Sequence, residues 1–224
     1  MFNFKIYNEI SQKINNLGKR TKIIAVSKNH PKSAVELALS YGVNIFGENR
    51  VQEAKTKFED LKKNHPKIEL HLTGPLQTNK VKDAVKLFDI FHTLDREKLA
   101  KEFFKTEGLE NKNFFIQVNT GKEETKSGVY LEELKDFINY CKIDLSLNIV
   151  GLMCIPPIDD QPKKHFSLLA NEAKKNDLCH LSMGMSADYV DAIELNASYV
   201  RIGTALFGER KKWKPRLKFF LHKN

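Results

Sequence analysis

The stretch KIIAVSKNHP at residues 22–31 decides the fold class. Its apolar run IIAV, at residues 23–26, predicts a strand that is buried on both faces, as the strands of a parallel sheet are. A serine, a lysine and an asparagine follow the run directly, so polar groups stand at the carboxyl end of the strand. In α/β proteins of this kind, the functional site lies where the parallel strands end.

Seven more apolar runs of this kind follow along the chain. Between them lie segments with apolar residues at three- and four-residue spacing, which predict helices. The predicted strands cover residues 22–28, 43–48, 68–73, 90–94, 113–119, 149–155, 180–183 and 199–207. An extra helix at residues 2–17 precedes them. Eight strand–helix units without a linker predict one α/β domain over residues 1–224, a (β/α)8 TIM barrel; a doubly wound open sheet is the alternative.

The composition of the 224 residues is that of an ordinary globular protein, with 41% hydrophobic and 29% charged residues. The net charge of +9 comes from lysines spread over nearly every amphipathic segment, so no nucleic-acid partner is predicted. The densest basic stretch is the tail at residues 208–224. We expect its aromatic residues to pack on the domain and its lysines to be solvated, although a membrane or RNA contact is the alternative.

The chain shows no membrane or secretion signal. No apolar run approaches the ~18–20 residues that span a bilayer, and the first residues lack the pattern of a signal peptide. Cys141, Cys154 and Cys179 are widely spaced and odd in number, which argues against a disulfide framework and against a metal site. We therefore expect a cytoplasmic, metal-free protein without a membrane partner, and a monomer.

Lys28 is the candidate nucleophile. A lysine at the mouth of a barrel is partly desolvated, which lowers its pKa and provides the neutral amine that forms an imine with an aldehyde. Taken alone, a lysine just past a strand is more often the first solvated residue of a loop.

The last two strands end in small, hydroxyl-bearing turns. These are SMGMS at residues 182–186, where the serine that starts SAD at 186–188 predicts a helix start, and Gly203-Thr204. Backbone N–H groups in such turns, aided by a helix N-terminus, form anion sites, and barrels often bind phosphate there. For either turn alone, glycines that merely permit tight turns are an equal explanation. Together with Lys28 on the neighbouring first strand, the turns indicate a ligand with an aldehyde at one end and a phosphate at the other.

Arg201 lies in the last apolar strand, where an arginine usually needs a hydrogen-bond partner; a surface arginine is the alternative. Because a guanidinium only donates hydrogen bonds, a pyridine nitrogen would serve as its acceptor.

Eight motifs in register resemble the pyridoxal phosphate homeostasis proteins, the YggS or PROSC family. They are AVSKNHP, FGENRVQEA, HLTGPLQTNK, HTLDR, QVNTGKEETKSG, GLMCIPP, LSMGMSADY and VRIGTALFG, and they run from about residue 23 to residue 208. Thr73 and Thr78 depart from the residues usual at their positions. The resemblance implies a barrel like the N-terminal domain of alanine racemase, which is fold type III among proteins that use pyridoxal 5′-phosphate.

The resemblance also implies roles for individual residues. Lys28 would hold pyridoxal 5′-phosphate as an internal aldimine, and Arg201 would face the pyridine nitrogen. The phosphate would be held by Ser182, Gly203 and Thr204, with Asn49 near the ring. Such proteins are regarded as regulators of vitamin B6 pools without established catalysis, which hold the cofactor or deliver it to apo-enzymes.

Catalysis is the alternative, as a small racemase or an aldolase-like enzyme. An arginine partner leaves the ring nitrogen unprotonated, which weakens the cofactor as an electron sink. Racemisation also needs acid–base groups on both faces of the substrate. In alanine racemase the second group is a tyrosine from an added domain, for which we expect no room in a chain of this length.

Overall fold

The computed structural model describes residues 2–209. Its parallel strands close into a barrel in the order β1 to β8, with β1 paired to both β2 and β8. The strands are β1 (Lys22–Val26), β2 (Ile45–Glu48), β3 (Glu69–Leu72), β4 (Ile90–Leu94), β5 (Asn113–Gln117), β6 (Ile149–Met153), β7 (His180–Ser182) and β8 (Tyr199–Ile202). The predicted (β/α)8 barrel is therefore confirmed, and the open sheet is excluded.

Helices alternate with the strands around the outside of the barrel. They are α1 (Phe4–Asn16), α2 (Lys32–Ser40), α3 (Val51–Asn64), α4 (Val81–Leu87), α5 (Glu97–Phe104), α6 (Leu134–Asn139), α7 (Pro162–Lys175), α8 (Tyr189–Glu194) and α9 (Thr204–Phe207). A 3₁₀ turn at Thr78–Lys80 precedes α4, and a π-helical turn at Tyr140–Asp144 follows α6. The extra N-terminal helix is confirmed as α1.

Alternate residues of a strand such as β1 belong to two different cores. In β1, Ile24 and Val26 belong to a cluster inside the barrel, whereas Ile23 and Ala25 belong to the larger cluster between the strands and the helices. The interior of the barrel is tightly packed, because a Cβ at Gly47 would lie 2.7 Å from Ile24 Cγ2. This two-residue alternation decides which polar side chains face the inside of the barrel.

The predicted strands were mostly too long at their carboxyl ends, and the largest error is in the last one. Its predicted span, residues 199–207, is wrong beyond Ile202, because Gly203 (φ −112°, ψ −80°) ends the strand and the apolar residues that follow form α9. A continuous apolar run does not distinguish a buried strand from a buried helix. Likewise, α8 begins after Asp188, not at Ser186 as predicted.

Some predictions extend beyond the described residues. The single domain was predicted for residues 1–224, and the basic tail for 208–224, of which residues 210–224 lie outside the described part. Within residues 2–209, no helix is long and apolar enough to cross a bilayer. Cys141, Cys154 and Cys179 are free thiols, and burial raises the pKa of Cys154 to about 12.

Candidate functional site

A cavity of about 270 Å³ opens at the carboxyl-terminal mouth of the barrel. Its walls come from segments that follow strands β1, β2, β3, β6, β7 and β8, together with residues near the ends of β1 and β8. The lining residues are Val26, Lys28, His30, Asn49, Thr73, Ile155, Met185, Ser186, Ala187, Arg201, Gly203, Thr204 and Gly208. The site thus lies where barrels place their functional groups.

The side chains that line the cavity favour an anionic ligand. Lys28, His30 and Arg201 are its ionisable groups, and no aspartate or glutamate occurs among its described lining residues. Hydroxyl groups of Ser186 and Thr204 add neutral donors. An amine, a guanidinium and hydroxyls are a donor set that suits a small phosphorylated aldehyde. Within residues 2–209, no group of three or more His, Cys, Asp or Glu side chains could hold a metal ion.

Five of the six site residues predicted from the sequence line this one cavity: Lys28, Asn49, Arg201, Gly203 and Thr204. Thr73 Oγ1 donates a hydrogen bond to Asn49 Oδ1 at 3.0 Å, which holds the Asn49 amide at the cavity wall. Gly74 lies against the same residue so closely that a Cβ there would be 2.6 Å from the Asn49 backbone oxygen. The glycine of the TGP sequence therefore secures the position of Asn49.

Ser182, the sixth predicted site residue, lies outside the cavity. It is fully buried, does not line the cavity, and its hydroxyl bonds His92 Nδ1 and Arg201 Nη1, each at 2.8 Å. The expectation that Ser182 contacts the ligand's phosphate does not match this position, because the side chain at the end of β7 is directed into the barrel. Ser186, four residues later, lines the cavity instead.

The turns after β7 and β8 meet at Ser186. Gly184 adopts φ +89°, which turns the chain back, and its carbonyl accepts a hydrogen bond from Arg201 N at 2.9 Å. The Ser186 hydroxyl accepts one from Ala205 N at 3.5 Å. Both predicted turns thus face one part of the cavity, with hydroxyls on Ser186 and Thr204.

Arg201 is held by neutral acceptors. Its side chain bonds Ser182 Oγ through Nη1 and the Cys154 carbonyl through Nη2, at 2.8 and 2.9 Å. Burial lowers the pKa of this guanidinium. A guanidinium still remains charged, so the cavity wall carries a fixed positive group.

A buried ionic cluster, which we call the α3 clamp, fixes the backbone around Lys28. Lys57 of α3 bonds the Ser27 carbonyl, Glu48 Oε1 and Glu53 Oε1, all at 2.7 Å. The Ser27 hydroxyl donates to Glu48 Oε1 at 2.6 Å. The clamp comprises Ser27, Glu48, Glu53 and Lys57. It was not predicted from the sequence, although a lysine on the apolar face of α3 was an available signal.

The chain resembles known proteins over most of its length. The family model for the N-terminal domain of alanine racemase matches residues 6–211. A pyridoxal phosphate homeostasis protein of Aquifex aeolicus is 41% identical over 201 residues, which are 85% of this chain and 87% of that protein. The chain belongs to the pyridoxal phosphate homeostasis protein family. A member from Vibrio alginolyticus is 38% identical over 89% of this chain and 91% of its own length.

Solved structures agree with this family assignment. PipY of Synechococcus elongatus, a structure solved without PLP, has a TM-score of 0.80 at 32% identity and covers 91% of this chain and 99% of its own. The PLP-bound form of PipY has a TM-score of 0.77 at the same identity, with coverage of 91% and 100%. Alanine racemase of Corynebacterium glutamicum, at 17% identity and a TM-score of 0.68, shares the fold over 97% of this chain and 64% of its own.

Proposed function

We propose that this protein binds pyridoxal 5′-phosphate covalently through Lys28 and serves the homeostasis of that cofactor. The observation that carries the proposal is that Lys28 and the Gly203–Thr204 turn line the same cavity. An amine and an anion-binding turn in one pocket match a ligand with an aldehyde and a phosphate. Family membership, and the PLP that is bound in the PipY structure, support the same ligand.

Different residues of the cavity would bind different parts of the cofactor. The Lys28 amine would form the covalent bond, and Arg201 would donate to the ring nitrogen. The backbone of Gly203 and the hydroxyls of Thr204 and Ser186 would hold the phosphate, with Ser186 in the place first assigned to Ser182. Asn49, fixed by Thr73, would contact the ring.

We infer a binding role and not a catalytic one. Pyridoxal 5′-phosphate supplies an electron sink, and a donor such as Arg201 at the ring nitrogen keeps that nitrogen unprotonated and the sink weak. Among the described lining residues, only His30 is ionisable besides Lys28 and Arg201, and no tyrosine is present. The pocket thus offers few groups for acid–base catalysis on two faces of a substrate.

The cellular role completes the proposal. A cytoplasmic monomer would hold the cofactor in reversible covalent form and release it to pyridoxal phosphate-dependent apo-enzymes. The three free thiols are consistent with a reducing compartment.

Titration with the cofactor tests the binding site. We expect wild-type protein to develop the visible absorbance of an imine, and Lys28→Ala to bind without it while the barrel remains folded. Lys80→Ala, on the 3₁₀ turn and outside the cavity, is the control and should behave like wild type. An unchanged spectrum in Lys28→Ala would show that another lysine reacts.

Incubation with L- and D-amino acids tests the binding role. The holo-protein should show no sustained turnover with any member of the panel. Lys28-dependent turnover at ordinary enzyme rates would make the protein an enzyme.

A further inference from the structure

A chain of hydrogen bonds runs through the inside of the barrel from its amino-terminal end to the cavity. Glu69 is the first residue of β3, and its Oε1 lies 2.8 Å from His71 Nε2. His71 Nδ1 lies 2.8 Å from His92 Nε2, and His92 Nδ1 lies 2.8 Å from Ser182 Oγ. Ser182 in turn accepts from Arg201, which lines the cavity. We call Glu69, His71, His92 and Ser182 the histidine relay.

The direction of every hydrogen bond in the histidine relay follows from its two ends. A guanidinium only donates, so Ser182 Oγ accepts from Arg201 and gives its one proton to His92 Nδ1. At the other end, the hydrogen bond with His71 lowers the pKa of Glu69, so an ionised carboxylate accepts from His71 Nε2–H.

Both imidazoles are neutral, which fixes the bond between them. Burial lowers the pKa of His71 and holds the pKa of His92 well below its ordinary value. A neutral imidazole has a single N–H. Because the single N–H of His71 donates to Glu69, His71 Nδ1 accepts a hydrogen bond from His92 Nε2–H. All the donors of the relay therefore point from Arg201 towards Glu69.

Aromatic rings hold the two imidazoles in these orientations. His92 stacks on Phe115 with ring centroids 4.5 Å apart and planes 5° apart. The edge of Tyr199 meets His71 at 5.1 Å and His92 at 5.9 Å. Both histidines, Ser182 and Phe115 have no exposed surface, so the rings cannot reorient without disturbing a packed core.

Arg201 needs such support because its charge is buried. The residue is 5% exposed, and within residues 2–209 no salt bridge includes it. Its bonded acceptors, a hydroxyl and a carbonyl, carry no charge of their own. Hydrogen bonds that are aligned in a low-dielectric interior polarise one another, so the carboxylate of Glu69 strengthens Ser182 as an acceptor. Through the relay, the negative charge of Glu69 at the far end of the barrel thus helps to stabilise the buried positive charge of Arg201.

We propose that Glu69, His71, His92 and Ser182 are positioning residues that hold Arg201, charged and immobile, against the ring nitrogen of the bound cofactor. The inference rests on the proposed function for the ligand, whereas the relay itself is a property of the chain. It assigns Ser182 a part in cofactor binding through Arg201, and it places one determinant of that binding at the opposite end of the barrel.

Replacement of Glu69 by glutamine separates positioning from mere packing. A glutamine keeps the volume and a hydrogen bond, but its amide can also donate to His71 Nε2. The relay can then reverse, so that His92 and Arg201 both donate to Ser182 Oγ, whose own proton is left without an acceptor in the relay. Ser182 is then no longer polarised by a carboxylate, so it becomes a weaker acceptor for Arg201 without any change at the cavity wall.

The first test measures the tautomers of the histidines. In protein labelled with ¹⁵N-histidine, without cofactor, long-range ¹H–¹⁵N spectra should show His71 and His92 as neutral imidazoles that carry hydrogen on Nε2. In Glu69→Gln, we expect hydrogen on Nδ1 of both rings in part of the molecules. A charged imidazolium, or hydrogen on Nδ1 of either ring in wild type, would overturn the relay.

The second test measures cofactor retention and the imine spectrum. We expect pyridoxal 5′-phosphate to leave Glu69→Gln and Ser182→Ala about 10-fold faster than wild type, as the loss of a hydrogen bond to a charged group implies, with a shifted absorbance band. Glu172→Gln is the matched control: its carboxylate is also partly buried and pairs with Lys175 on α7. Unchanged dissociation and an unchanged spectrum in Glu69→Gln would overturn the inference, whereas a wild type that binds no cofactor would overturn the proposed function instead.

Discussion

Glu53 Oε1 accepts a hydrogen bond from the backbone N–H of Asn29, 2.5 Å away and one residue after Lys28. Asn29 adopts φ +63°, a left-handed conformation that asparagine tolerates better than most residues. On the other side of Lys28, Lys57 bonds the Ser27 carbonyl at 2.7 Å. The α3 clamp therefore holds the backbone on both sides of the lysine that is proposed to bind the cofactor.

Removal of the lysine from the clamp should destabilise the fold. Lys57→Met leaves the carboxylates of Glu48 and Glu53 without their cation, and the loss of one partner from a buried ion pair costs about 3–5 kcal/mol. Chemical denaturation measures the free energy of unfolding. Lys55→Met, at an exposed position of the same helix, is the control and should change it little. A Lys57→Met variant as stable as that control would show that the clamp does not contribute.

The pH dependence of stability should report the buried Glu48. Burial raises its pKa above the ordinary value, although Lys57 opposes this, so the folded state binds a proton more tightly than the unfolded chain does. The contribution of such a group is fully present below the unfolded pKa of about 4.5 and is lost as pH rises through the folded pKa.

Glu48→Gln tests this sign, because glutamine does not titrate. We expect the free energy of unfolding of the variant, minus that of wild type, to increase from pH 4.5 upwards. Denaturation at several pH values measures this difference. A difference that stays flat or decreases over the range would contradict a raised pKa.

The hydroxyls at the two turns should govern how tightly the cofactor is retained. A hydrogen bond to a charged group contributes about 1.5–3 kcal/mol, so the loss of two in Ser186→Ala together with Thr204→Ala should weaken binding by about 100-fold or more. Imine formation at high cofactor concentration should persist, since Lys28 is intact. Equilibrium dialysis gives the affinity, and Thr56→Ala, exposed on α3, is the control. Equal affinities of the double variant and that control would remove these hydroxyls from the phosphate site.

The fold could be predicted from the sequence because its strands carry a strong local signal. Eight apolar runs, that of β1 included, occur along the chain, and every observed strand lies within a predicted one. The ends of the strands could not be predicted as well, because the sequence does not show where a buried apolar run stops pairing with its neighbouring strand. At β8, the turn at Gly203 depends on its dihedral angles, which the apolar residues on either side do not reveal.

The sequence predicted those residues of the site that lie at or near the carboxyl ends of strands. Lys28, Asn49, Gly203 and Thr204 follow strands, Arg201 lies one residue before the end of β8, and all five line the cavity. The place of Ser182 outside the cavity depends on the last residue of β7 and on the turn at Gly184, and neither could be located from sequence.

The histidine relay was not predicted because its members are far apart in sequence. His71 and His92 each look like single polar residues in apolar strands, and a lone buried histidine has many explanations. The available signal was the two-residue periodicity of strands: His71 lies two residues after Glu69 in β3, and His92 lies two residues after Ile90 in β4, so each shares a face of its strand with that residue. Their contact depends on strand register, with His71 opposite Ile90.

Borohydride reduction of the holo-protein, followed by digestion and mass spectrometry of the peptides, tests directly whether Lys28 holds the cofactor covalently. Reduction fixes a covalently bound cofactor onto the amine that holds it. We expect the added mass on the peptide that contains Lys28, and no other modified lysine at stoichiometric yield. A cofactor fixed to a different lysine, or no covalent adduct at all, would show that Lys28 does not bind the cofactor.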